Sequence, residues 1–146
     1  LFFGRAQKSA LHIPRCIYTD PELAGVGLSE QEATARGIDI ETYRIDFAEM
    51  DRAILDGADE GLLKVHVKRG TDRIVGGTLL APHAGEMISE LTLAMQARAG
   101  LKALSKTIHP YPTQAEAFRA AGDACRRAGL TPRVKWLFEK LLAWRR

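Results

Sequence analysis

The sequence predicts an α+β domain, a mainly antiparallel sheet with helices packed on one face. Three observations predict it. Strand-like stretches dominate the first half of the chain, and helix-period stretches dominate the second. Leu63-Lys64-Val65-His66-Val67-Lys68 alternates apolar and polar residues and runs into the turn chemistry of Gly70-Thr71-Asp72, which marks a hairpin. From Ala84 the hydrophobic period changes from every second residue to steps of three and four. The chain has 146 residues, 46% hydrophobic and 27% charged, which suits one globular domain able to bury its own core.

In chain order, Ile13 to Tyr18 reads as a short strand that stops at Asp20-Pro21. Ser29 and Glu32 have capping-box spacing, which predicts a helix from Glu30 to Arg36 ended by Gly37. Thr42-Tyr43-Arg44-Ile45 supplies β-formers for a strand over Glu41 to Phe47. The acid-rich run from Asp51 to Glu60 is expected to be a connection with one helical turn. Ile74 to Ala81 is apolar enough to be the more central hairpin partner, and Gly76-Gly77 within it signals a bulge or a close backbone approach. His66 falls on the polar side of the hairpin and is expected to face solvent.

Met87, Ile88, Leu91, Ala94 and Met95 follow helical spacing, predicting a helix from Ala84 to Ala99 ended by Gly100, with its methionines used for packing. A short helix over Leu101 to Lys106 follows, then a long one from Thr113 to about Arg127. A last helix, Arg133 to Trp144, starts after Pro132 and places Val134, Leu137, Phe138, Leu141 and Trp144 on one stripe.

Composition excludes several classes. No apolar run reaches the roughly 18 residues of a membrane span, and no secretory leader pattern opens the chain. Cys16 and Cys125 are too few and too distant for a disulfide scaffold, which suits a reducing cytoplasm; both read as small packing residues. The formal net charge is +3, yet from Arg119 onward eight basic residues stand against two acids. A weakly acidic body with a basic end argues against a nucleic-acid-binding face. That end reads as a solvated helix face, the alternative being a helix that binds a membrane surface or an acidic partner. No phosphate-binding glycine loop is present, and His12, His66, His83 and His109 show no metal-ligand spacing. The chain opens at Leu1-Phe2-Phe3, without methionine and already inside an apolar run, as a piece of a longer polypeptide would.

One segment stands apart, Ile108-His109-Pro110-Tyr111-Pro112-Thr113-Gln114-Ala115-Glu116-Ala117-Phe118. Two prolines hold His109 and Tyr111 in extended backbone, and Thr113 with Glu116 has capping-box spacing. From the residues alone, two readings stay open: a plain helix start, or a loop that carries chemistry.

The segment resembles the signature near the C-terminus of the pyridine nucleotide-disulfide oxidoreductases, the family of dihydrolipoamide dehydrogenase, glutathione reductase and mercuric reductase. Tyr18-Thr19-Asp20-Pro21-Glu22-Leu23-Ala24-Gly25-Val26-Gly27-Leu28, then Ile74-Val75-Gly76-Gly77, then Ala84-Gly85-Glu86-Met87-Ile88 resemble further family motifs in the same order. The resemblance runs from about Ile13 to Phe118. Together with the residue patterns, it gives a dimerisation domain over residues 13–130, preceded by the end of another region at 1–12 and followed by the amphipathic basic helix at 131–146.

In that family, two N-terminal domains bind FAD and NAD(P)H, and the C-terminal domain makes the homodimer. Its loop reaches the partner's flavin with a histidine and, five residues on, a glutamate. Glu116 falls on the glutamate, and Pro112 and Thr113 match; Tyr111 stands where the histidine would be, and His109 lies two residues earlier. The resemblance thus implies Tyr111 and Glu116 as catalytic residues, with His109 and Pro110 in the loop facing the partner flavin. A tyrosine with pKa near 10 is only about one part in a thousand ionised at pH 7, so it is a poor general base. Mercuric reductases also place a tyrosine there, although they usually end in a vicinal cysteine pair where this chain ends Leu142-Ala143-Trp144-Arg145-Arg146.

The expectation is therefore a mercuric-reductase-like part of a cytoplasmic FAD- and NAD(P)H-dependent oxidoreductase acting on a sulfur, disulfide or metal-ion substrate. The fragment alone would be inactive and would bind neither cofactor nor metal, and neither nucleic acid nor membrane is an expected partner. The face with Met87, Ile88, Leu91 and Met95 is expected to form part of the dimer surface. The alternative is a stand-alone homodimerisation or interaction module that kept the fold without the chemistry.

Overall fold

A computed structural model describes residues 11–130 together with Lys140. The predicted Arg133 to Trp144 helix, and nearly all of the segments at 1–12 and 131–146, lie outside the described residues. Five strands form one antiparallel sheet: β1 (Arg15–Ile17), β2 (Glu22–Gly27), β3 (Ile40–Asp46), β4 (Leu62–Lys68) and β5 (Ile74–Ala81), in the order β1-β2-β5-β4-β3. The helices are α1 (Glu30–Ala35), α2 (Asp51–Leu55), α3 (Ala84–Gln96), α4 (Leu101–Leu104) and α5 (Glu116–Ala128). The predicted α+β class is the one found.

Strand β2 is an element that residue types did not announce, because Glu22-Leu23-Ala24-Gly25-Val26-Gly27 holds few β-formers. Its small residues serve backbone proximity instead. Val26 pairs with Gly77 and Gly27 with Gly76 of β5, and a Cβ on Gly25 would stand 3.3 Å from the Gly77 carbonyl oxygen. The glycine pair in β5 does what its position in a strand suggested. The register shifts between His66 and Val67, which pair with Gly76 and Ile74, so Val75 is left without a partner in β4. The Val75 carbonyl accepts from Leu28 N at 2.9 Å, and the Leu28 backbone lies where a Gly76 side chain would be.

The two faces of the sheet have different covers. Val26, Gly77, Val65 and Tyr43 form one row across it. On that side Leu91 of α3 sits over Gly77, and the phenol of Tyr43 meets Cys125 of α5. The two long helices therefore share a face, with Leu63, Val65, Leu79, Ile88, Leu91 and Phe118 in one buried cluster. Each such side chain contributes about 1.5–3 kcal/mol by leaving water. The start of α3 is tied to β2 by Glu22, whose Oε2 accepts from Gly85 N at 2.9 Å and so places a carboxylate at the helix N-terminus.

His66 corrects an expectation. Alternation puts it on the side of the sheet opposite Val65, as predicted, but it is only 2% exposed. Its row neighbours Gly76 and Gly27 have no side chains, and the Leu28 backbone lies against Gly76. There His66 Nδ1 lies 2.9 Å from Thr42 Oγ1, and Glu30 of α1 bonds Lys64 at 3.4 Å. The strand pattern identified the face; it carried no sign that Leu28 lies against Gly76 there or that Glu30 of α1 reaches Lys64.

Three further differences have local causes. Helix α3 ends at Gln96 rather than Ala99, because Arg98 takes the left-handed conformation (φ 56°), and Gly100 instead bridges to Arg73. Helix α5 starts at Glu116 rather than Thr113: the Thr113 hydroxyl donates to the Pro110 carbonyl at 2.8 Å, so only half of a capping box forms. By contrast, the Ser29–Glu32 box at α1 is complete. The face expected at the dimer surface is not available to a partner. Ile88, Leu91 and Met95 are buried in the chain's own core, with Met87 packed against it.

Candidate functional site

The segment from Ile108 to Ala115 connects α4 to α5 and is anchored at several points. His109 is 9% exposed and turned inward, with Nε2 3.0 Å from Glu90 Oε1 on α3; its Nδ1 has no hydrogen-bond partner. Pro110 offers its carbonyl to Thr113. Gln114 is nearly buried and donates from Nε2 to Asp56 Oδ2 at 3.2 Å, at the end of α2. Asp56 is itself held by Arg52 Nε at 2.8 and 2.9 Å, and that guanidinium, with help from Gln114, keeps its carboxyl below the usual carboxylate range. At the helix start, Glu116 Oε2 accepts from Thr113 N at 3.3 Å.

Between these anchors Tyr111 projects outward, 71% exposed, and the Tyr111–Pro112 peptide is cis. Its phenol donates to Asp51 Oδ2 at 2.6 Å. Tyr111 and Glu116 line one open pocket of about 320 Å³ together with Glu49, Asp51, Arg119 and Asp123. Four carboxylates against one guanidinium, which lies 4.0 Å from Asp123, make the pocket electronegative. The Asp51 hydrogen bond foremost, then its charge, pushes the Tyr111 pKa above its ordinary value. Tyr111 is thus a neutral phenol at pH 7 and a poor general base.

The structure brings Tyr111 and Glu116 to the same pocket without a bond between them. His109 and Pro110 form the base of the loop rather than its tip. Residues that sequence reasoning missed are Asp51, Asp56 and Glu90. They lie 60, 58 and 19 positions from their partners, so no local spacing could pair them; the acid-rich run after Met50 was the available signal. Among the described residues, no group of three or more His, Cys, Asp or Glu is arranged to hold a metal. Cys16 is half-buried and Cys125 buried, both as free thiols. No helix among the described residues is long and apolar enough to cross a membrane.

The family described as pyridine nucleotide-disulphide oxidoreductase, dimerisation domain, matches residues 13–121. The chain belongs to that family. This dimerisation domain is 39% identical over 128 residues to a dihydrolipoyl dehydrogenase of Thermus scotoductus, covering 86% of the chain and 28% of the relative. It is 39% identical over 112 residues to the Bacillus subtilis dihydrolipoyl dehydrogenase, covering 77% and 24%. Among solved structures, the HOCl-induced flavoprotein disulfide reductase RclA of Escherichia coli superposes with TM-score 0.74 at 27% identity, over 80% of this chain and 27% of that one. The dimerisation domain thus spans about a quarter of the length of the proteins it matches. Its matched region contains every strand of the sheet and the whole Tyr111 loop.

Proposed function

We propose that the chain is the dimerisation domain of a homodimeric, FAD- and NAD(P)H-dependent oxidoreductase acting on a disulfide or metal-ion substrate. In this reading it lends the loop with Tyr111 and Glu116 to the partner subunit's active site, as a mercuric-reductase-like variant with tyrosine in the histidine's place. The observation that carries the reading is the loop's construction. His109, Gln114 and Glu116 fasten it to the fold, while Tyr111 stands 71% exposed at its edge. A side chain held this way suits contact with something outside its own chain.

The residues do not fit a flavin held by this chain alone, because the pocket beside Tyr111 is open and lined by carboxylates. They fit a loop edge that abuts a flavin bound elsewhere. FAD would supply two-electron transfer between the nicotinamide and the acceptor. Tyr111 would supply a neutral phenol beside it, and Glu116 would hold the turn that follows. His109 and Pro110 contribute to the flavin-facing loop by fixing its base.

The dimer surface in this reading surrounds the loop. Leu93 lies one turn beyond Glu90 on α3, Ile108 precedes His109, and Ile54 and Leu55 lie on α2 beside Asp56. All four are exposed, Ile108 at 92% and Leu93 at 69%. They replace the buried α3 face as the apolar surface a second copy would cover.

Hybrid dimers test the proposal. In the longer polypeptide, one subunit carries Tyr111→Phe and the other lacks the redox-active thiols that this reading places beside the flavin in the preceding domains. Each parent homodimer is expected to be strongly impaired, and the mixture to regain part of the NAD(P)H-dependent activity through one intact composite site. No recovery on mixing would rule out a loop shared across subunits. NAD(P)H turnover by the isolated chain with added FAD would contradict the reading of the chain as a non-catalytic part.

A further inference from the structure

We infer that Asp51 is the positioning residue for Tyr111, and that by accepting the phenol's hydrogen bond it leaves Tyr111 to meet its ligand as a hydrogen-bond acceptor. The inference rests on the reading of Tyr111 as the functional side chain of its loop.

A phenol carries one proton, and here that proton is committed to Asp51 Oδ2 at 2.6 Å. What Tyr111 can still offer the pocket is oxygen lone pairs. Its binding partner is therefore a donor, such as a protonated thiol, an N–H group or a cation, and not an anion. The surroundings agree in sign. Glu49 from the turn before α2, Asp51 from α2, and Glu116, Arg119 and Asp123 from α5 all face the same pocket, and Arg119 lies beside Asp123. An anion would meet net negative charge on every side.

Asp51 is also well placed to fix the ring. It is the first residue of α2, and α2 is tied to the loop a second time through Gln114 and Asp56, with Arg52 bracing Asp56. Glu116, five residues after Tyr111, is engaged with the Thr113 backbone instead. The carboxylate that orients this side chain therefore comes from a remote helix, not from the loop's own motif. Its location explains how tyrosine works in the loop without the motif glutamate touching it.

The test is residue-resolved titration of the chain with 13Cζ-labelled tyrosine, practical because the sequence holds three tyrosines; Tyr111→Phe assigns the signal. In the unmodified chain, the Tyr111 phenol is expected to ionise at higher pH than a free tyrosine, because its proton is held in the hydrogen bond to Asp51. In Asp51→Asn the phenol is expected to ionise at lower pH than in the unmodified chain, and in Asp51→Glu, which keeps the charge, to move back toward the original value. A Tyr111 phenol that ionises like free tyrosine, or phenol ionisation at the same pH in Asp51→Asn, would overturn the inference. The first readout needs no variant, so a folding failure cannot obscure the result. An intact coupling with no recovery in hybrid dimers would instead count against the proposed function, so the two failures are separable.

Discussion

His109 Nε2 lies 3.0 Å from Glu90 Oε1, and this pair sets how deeply the base of the Tyr111 loop sits against α3. Two residues later the chain is at the surface. A buried imidazole next to an exposed phenol means that the loop divides its labour between an anchor and a tip. His109→Ala is expected to cost about 1–3 kcal/mol, measured by urea denaturation, because it removes a bond to a charged group and leaves Glu90 without its partner. Glu90→Gln, which keeps an acceptor, should cost less.

The contact between Gly77 and Leu91 makes a second prediction. A Cβ at Gly77 would stand 2.5 Å from Leu91 Cδ2 and 2.8 Å from the Lys64 carbonyl oxygen, so α3 and the sheet would have to separate. Gly77→Ala should destabilise the chain by about 1–3 kcal/mol despite the better strand propensity of alanine. A thermal midpoint equal to the unmodified chain's would show that the helix does not pack as closely as this.

His66 gives stability a dependence on pH. Burial pushes its pKa below the ordinary value, the Lys64 charge acts in the same direction, and Glu30 opposes them. The unfolded chain, with histidine near pKa 6.5, therefore binds a proton that the folded chain refuses. Stability is fully present above about pH 6.5 and declines as the pH falls through that value toward the depressed folded one. Urea midpoints should drop between about pH 7 and pH 5.5, and His66→Gln should flatten that slope while lowering stability at neutral pH. An unchanged slope in the variant would assign the dependence to other groups.

Self-association should respond to the exposed apolar residues around the loop and not to the α3 face buried in the core. Leu93→Lys and Ile108→Lys are each expected to weaken dimerisation at least about tenfold in sedimentation equilibrium, as for a charge placed in an apolar interface. Neither residue supports the protomer core, so circular dichroism should remain unchanged. Dimers of unaltered strength in both variants would move the interface elsewhere.

Much of the fold was legible because its signals are local. Alternation marked β4, the Ser29–Glu32 box marked α1, and the glycine pair in β5 marked a close backbone approach, each within a few residues of chain. β2 was not legible from residue types, since glycine and alanine become a strand there only by lying against Gly76 and Gly77. The loop itself stood out through its prolines and its resemblance to a family signature, whereas its supports did not.

The sequence by itself determined the antiparallel α+β class and the family, and it singled out the loop that carries Tyr111. Only the tertiary structure decided what Tyr111 bonds to, which apolar residues remain outside the core, and that His66 is buried. The physical reason is range: periodicity and capping act over a few positions, while Asp51 meets Tyr111 across 60 residues of chain. Which face of an amphipathic helix or strand stays wet is likewise set by what packs over it. Alternation along β4 and the stripe on α3 could name a face, but tertiary packing decided which faces were covered.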